Sequence, residues 1–398
     1  MANITAQDLF DIVNRRLRDI SDGEIDNNNR LDALQDTLED LNNRFTFPWT
    51  LRTNYLEYCD TLTRYAAPSD FKGFIDGEPE NRITDLQFVT PEAFNRLDER
   101  GISEIYAYDW KDRAITWRLK TRATARYLDV HSLNAQSNGT FAVNSATSDA
   151  INLHNDVNIF RHNSGSVAFD IDVSQSANDY AEFSITGMSA IDLSDLENAS
   201  KGIMDWYIPN ATYITSILMR WGDGSGAYWE KTETSQADGS AFVSGWNTLS
   251  NKWEDAIKVG LPDSSATTYL LFRIVYSASQ ADMKNVRVNW LRFSPIEIIP
   301  VKYASINIAI TSATDSTQID TLTTGTNLML FGNINNNVRQ AIVKGMTYCL
   351  FEDMDKQTDS DREFVKYERV QKNLELLYPN RLKTYEMTTD IFISNEYE

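Results

Sequence analysis

The 398-residue sequence is short of several things, and each shortage excludes a class of protein. It holds two cysteines, Cys59 and Cys349, far apart and each beside apolar neighbours. That excludes a disulfide framework and predicts two reduced, buried thiols in a protein made in a cytoplasm. No apolar run approaches the roughly 18 residues that a membrane span needs. The opening MANITAQDLFDIVNRRL has no apolar export core and reads as an amphipathic helix. Basic residues are outnumbered, 37 against 57 acidic, for a net charge of −20. Tight nucleic-acid binding requires the reverse balance, because its affinity comes from neutralising phosphates.

Catalytic signatures are missing too. There is no Ser elbow of the GxSxG type, no HExxH helix, and no histidine near either cysteine. Gly222-Asp223-Gly224-Ser225-Gly226 lacks the Lys-Ser/Thr ending of a phosphate loop and reads as a hairpin turn. Three histidines exist, His131, His154 and His162. His154 and His162 flank Asp156 and could hold a metal, but loop or strand-surface histidines are the ordinary case, and no cofactor is expected. Asp170, Asp172, Asp179 and Glu182 could supply a hydrolytic acid pair, or Asp170 and Asp172 a Ca²⁺ site, against solvated strand faces as the ordinary reading.

What is present is patterning. Thr5, with Asp8 three residues on, caps a helix carrying Leu9, Ile12, Val13, Leu17 and Ile20. A second helix carries Leu31, Leu34, Leu38 and Leu41 and stops at Phe47-Pro48-Trp49. Short strands and one short helix fill residues 50–125. Residues 128–295 alternate in short segments, among them Val167–Val173, Tyr180–Ile185, Tyr213–Trp221, Tyr269–Tyr276 and Val286–Phe293. These predict an antiparallel, jelly-roll-like sandwich. A strand-like stretch then leads to a helix with Val338 and Ile342. A last helix, opened by a Ser360/Glu363 capping box, carries Val370 and Leu374. The helical stripe Leu31, Leu34, Leu38, Leu41, Val338, Ile342, Val370 and Leu374 is expected to pack as one bundle. The sandwich is rich in aromatics: Trp206, Tyr207, Trp221, Tyr228, Trp229, Trp246, Trp253 and Trp290. Core packing is their ordinary role, and an exposed Tyr228-Trp229 platform for sugar is the sharper alternative.

The terminal segments resemble a known family. ITAQDLFDIVNRRLRD, RLDALQDTLEDLNNRFTFPW, RYAAPSDF, ITDLQFVTPEAFNRLDERG and IYAYDWKDRAITWRL, then VKYASINI, TDSTQIDT and NNNVRQAIVKGMTYCLFEDMDKQTDSDREFVKYERVQKNLELLYP, follow an order similar to that of tailed-bacteriophage head–tail connector subunits. These include adaptor, head-completion and tail tubular proteins. The resemblance implies an α+β multidomain fold: a helical-bundle connector core with a small β region, interrupted by an all-β sandwich insert. The parts are 1–127, the insert 128–295, 296–383 and a tail 384–398. It further implies a non-enzymatic ring, commonly of twelve copies in that family, at the virion neck, assembled in the host bacterial cytoplasm. The ring docks on the portal, seats the next tail protein and passes genome DNA through an acidic lumen. Ile391, Phe392 and Ile393 would reach the portal as an added strand. Two alternatives stand beside this reading. One is a virion-associated module whose insert binds host-surface glycan or a neighbouring capsid or tail protein, and the other is a virion glycan hydrolase.

Overall fold

The computed structural model describes residues 4–17, 25–75, 86–99, 104–111, 114–121, 127–144, 146–176, 178–312, 317–330 and 336–382. Among the described residues strand makes up 40% and helix 26%. The helices are α1 (Ala6–Asn14), α2 (Asn27–Arg44), α3 (Pro91–Glu99), α4 (Asn336–Asp353) and α5 (Gln357–Leu377). The chain divides into two compact units. One takes Met1–Tyr55, Pro68–Thr84 and Pro300–Glu398, the other Leu56–Ala67 and Asp85–Ile299. The expected helical-bundle connector core is therefore corrected to a predominantly β protein with five α-helices among the described residues, whose larger unit carries a sandwich. Helical periodicity is the louder local signal, and short strands pass beneath it.

The first unit is built on α1, α2, α4 and α5. Thr5 Oγ1 accepts from the Asp8 amide at 3.1 Å while the Thr5 amide donates to Asp8 Oδ2 at 2.8 Å, closing a capping box on α1. Leu34, Leu38, Leu41, Val338, Ile342 and Leu374 are buried in one apolar cluster, with Leu31 and Val370 half-buried against it. Asp40 on α2 accepts from Tyr367 Oη and Gln371 Nε2 of α5, both at 2.8 Å. The Ser360 capping box is not where α5 begins. The helix starts one turn earlier at Gln357, after Asp355 turns the chain at φ +56°, and Ser360 is buried inside it. Ile391, Phe392 and Ile393 lie outside the described residues. Among those described, no helix is long and apolar enough to cross a membrane.

The second unit holds the sandwich. Its first sheet runs Gly245–Lys252, Ser200–Ile208, Met283–Pro295, Ser166–Ile171, Ala150–Asp156, with Leu128–His131 also pairing Met283–Pro295. The second runs Ile257–Val259, Ala227–Glu233, Ile214–Gly224, Tyr269–Tyr276, Tyr180–Thr186, Thr140–Val143. All these pairs are antiparallel. Met204, Trp206, Phe169, Val286 and Val288 of the first sheet meet Met219, Trp221, Phe183 and Phe272 of the second in a fully buried core. Alternation along the strands makes this inevitable: with Met204 and Trp206 inward, Asp205 and Tyr207 point out. A smaller sheet, Arg64–Ala66, Ala114–Lys120, Ile105–Lys111 and Gln87–Phe88, with α3 beside it, belongs to this same unit rather than to the terminal helices.

One close contact fixes the helix packing of the first unit. A Cβ at Gly345 of α4 would stand 2.4 Å from Thr37 Cγ2 and 3.1 Å from the Tyr367 ring. Gly345→Ala should gain helix propensity yet lower stability by about 1–3 kcal/mol through overpacking. A urea midpoint equal to or above the parent's would refute the close approach.

Candidate functional site

The aromatics of the sandwich separate into two sets. Trp206, Trp221 and Trp253 are fully buried, and Trp229, expected on an exposed platform, is 3% exposed and packed against Trp253 at 5.0 Å. Its neighbour Tyr228 is half-buried, with the Arg220 guanidinium 4.5 Å over its ring. The Gly-rich segment beside them joins two paired strands, as a hairpin turn does. This pair therefore offers no open face. Tyr207, Trp246 and Trp290 instead lie half-buried on the outer side of the first sheet.

That outer face is organised by Asp205, which is 1% exposed. Its Oδ1 accepts from Arg161 Nη1 at 2.9 Å and Thr248 Oγ1 at 2.7 Å. Its Oδ2 faces His162 Nε2 at 3.1 Å and Arg292 Nη1 at 3.4 Å. Burial alone would push this carboxyl up, but His162 and the two arginines outweigh it and hold Asp205 at about 2. Burial draws the Arg292 guanidinium below its ordinary value against the pull of Asp205. Arg161 and His162 sit on the loop after Ala150–Asp156, which Asn289 pins: its Oδ1 accepts from both their amides, at 3.3 and 2.7 Å, and its Nδ2 donates to the Gly165 carbonyl. Gly165 is required there, since a Cβ would meet the Asn134 carbonyl oxygen at 2.6 Å.

A bulge aims Trp290 onto this face. Ile203 pairs with Arg292 but Asp205 with Asn289, so the Met283–Pro295 strand carries one extra residue, and Trp290 has φ +49°. Without the slip Trp290 would point inward and Arg292 with it. The Arg292 guanidinium lies 4.0 Å over the Trp290 ring and His162 stands 4.5 Å from it. Trp246, opposite Tyr207 across the sheet, meets that ring edge-on at 5.5 Å. Among the described residues this is its single ring contact.

The facing wall comes from the small sheet and α3. Arg64 and Arg118 are direct cross-strand partners. Arg118 donates to Asn95 Oδ1 at 2.7 Å and the Pro91 carbonyl at 3.2 Å, and lies over Phe94 at 4.3 Å. Arg64 Nη2 is 3.5 Å from Asp109. Asp98 pairs with Lys120. Between the two walls lies a cleft of ≈ 510 Å³, lined also by Thr61, Thr63, Gln236, Asp238, Trp246, Thr248 and Trp290.

The other candidates have structural work. His131 Nε2 faces the Ser137 and Asn138 carbonyls while Nδ1 accepts from the Leu133 amide; burial lowers its pKa. His154 faces the Asn152 carbonyl at 2.6 Å. Asp156 is paired with Arg287, Glu182 with Arg273, Asp170 accepts from Asn152 and the Asn285 amide, and Asp172 from Ser174. The Asp179 carbonyl accepts from the Tyr276 amide. Cys59 and Cys349 are free thiols, both pushed up to about 11 by burial. Among the described residues no three His, Cys, Asp or Glu side chains group as metal ligands. Sequence reasoning missed Asp205, Arg161, Arg292, Arg64 and Arg118. Asp205, a lone carboxylate in the apolar run Ile203-Met204-Asp205-Trp206, was the available signal.

No family model and no curated protein matches this chain. Among solved structures it is similar to a family 30 carbohydrate-binding module, at 15% identity and TM-score 0.30, over 41% of this chain and 88% of that one. It is also similar to the family 30 module of a Clostridium thermocellum cellulosomal cellulase (16%, TM-score 0.29, 43% and 96%). A third is a Caldicellulosiruptor saccharolyticus module solved with mannohexaose (12%, TM-score 0.29, 42% and 94%). The resemblance to head–tail connectors is corrected by the fold itself. Among the described residues strand exceeds helix, and the larger unit carries two antiparallel sheets packed as a sandwich rather than a helical bundle. The ring of twelve, the portal and tail partners and the DNA lumen followed from that resemblance alone. The chain carries a β-sandwich domain.

Proposed function

We propose that this protein binds a saccharide in the cleft over the outer face of the first sheet. The observation that carries it is the pairing there of partly exposed indoles, Trp246 and Trp290, with hydrogen-bonding side chains held rigid around buried Asp205. Aromatic faces take the apolar side of a sugar ring, and fixed polar groups read its hydroxyls. A volume of ≈ 510 Å³ suits a short oligosaccharide.

Trp246→Ala should weaken oligosaccharide binding about tenfold with an unchanged melting temperature, as read by calorimetry against a glycan panel. Parental binding in that variant, or no binding to any glycan by the parent, would remove the assignment. Asp205→Asn strands two arginines, one of them buried, and should cost about 3–5 kcal/mol at pH 7. Because the folded carboxyl is depressed, its contribution is complete above about pH 4 and fades as pH falls toward 2. The gap between parent and variant in urea midpoint should therefore narrow over that window; a gap independent of pH would contradict an ionised Asp205.

A further inference from the structure

On the reading that the cleft takes a saccharide, we propose that this saccharide is anionic, its acid group received by Arg64 and Arg118. Three observations converge. First, the two arginines face each other directly across antiparallel strands, an arrangement that is unfavourable for like charges. Second, neither is saturated: Arg64 Nη1 and Arg118 Nε are buried without a partner among the described residues, and Arg292 Nε in the same cleft is the same. An unmet buried donor is costly, and a charged donor more so. Arg118 is 4% exposed and lines the cleft. Third, the cleft gathers Arg64, Arg118, Arg161 and Arg292 against Asp98, Asp205 and Asp238, in a chain whose net charge is −20. The acids are engaged: Asp205 with Arg161 and Arg292, Asp98 with Lys120, Asp238 with Ser240. Burial, then the neighbouring Arg64 charge, pulls Arg118 down to about 10. A carboxylate or sulfate ester placed against the exposed part of the Arg64 guanidinium would pair with it and relieve the repulsion between the two arginines. The indoles would hold the ring that carries it.

The test titrates the full-length protein with three probes of equal length, a neutral cello-oligosaccharide, an oligogalacturonate and a sulfated galactan oligosaccharide, by calorimetry at 50 and 300 mM NaCl. An acidic probe is expected to bind at least about tenfold tighter than the neutral one, to weaken with salt, and to lose that advantage in Arg64→Gln. Preference for oligogalacturonate assigns a carboxylate and preference for the sulfated probe a sulfate ester; either supports the proposal. Arg64 is a third exposed, so this variant should fold, and Arg64→Lys, which keeps the charge but not the fork, should retain part of the preference. Equal or tighter binding of the neutral probe overturns this proposal and leaves the saccharide assignment standing. No binding of any probe overturns both. An acidic preference that survives Arg64→Gln at both salt concentrations overturns the placement of the acid group.

Discussion

A carboxylate taken out of water must be neutralised on the spot, and Asp205 imposes that constraint on everything around it. It sits in the middle of a strand whose other face is the sandwich core, so it cannot swing to solvent. Arg292 reaches it from the neighbouring strand, Arg161 and His162 from a loop, and Thr248 from the strand on the other side. Four separate segments are thereby tied to one point. The loop is fixed a second time by Asn289 and admitted by Gly165. A surface this tightly cross-bonded holds its polar groups in place before any ligand arrives, which lowers the ordering cost of binding.

The bulge at Trp290 is the geometric partner of that charge network. It resolves a conflict that strict alternation could not, because Asn289, Trp290 and Arg292 all have to serve the outer face while Val288, Leu291 and Phe293 fill the core. The segment Val286-Arg287-Val288-Asn289-Trp290-Leu291-Arg292-Phe293 carries the trace of this: its apolar phase slips by one between Val288 and Leu291. Reading it as an uninterrupted strand hides the slip. The sequence marks the same segment as a strand, as it does Tyr180–Ile185 and Tyr269–Tyr276, because their β-branched and aromatic residues favour a pleated surface.

Other parts were not legible for physical reasons. Ser200–Ile208 and Gly245–Lys252, which carry Asp205, Tyr207 and Trp246, contain Gly, Asp, Asn and Lys and do not announce themselves as strands. Their stability comes from cross-strand partners distant in sequence, which propensity does not see. Trp229 looked exposed because it adjoins a Gly-rich turn, yet its strand position turns it toward Trp221 and Trp253. The terminal helices were visible through their apolar stripe, and that visibility gave them too much weight. Their order suggests a connector, whereas the larger unit carries a sandwich with a polar, aromatic outer face. Pairing of Arg64 with Arg118 requires knowledge of strand register and could not be read from spacing.

On the proposed function one face, among all the aromatic surfaces of this chain, receives a ligand. Each of the nine tryptophans reports separately through its indole N–H resonance. On addition of an acidic oligosaccharide, the indole signals of Trp246 and Trp290 should move or broaden, while those of Trp206, Trp221, Trp229 and Trp253, locked in the core, stay in place. Movement of the core indoles instead, or no movement of Trp246 at saturating ligand, would contradict the account.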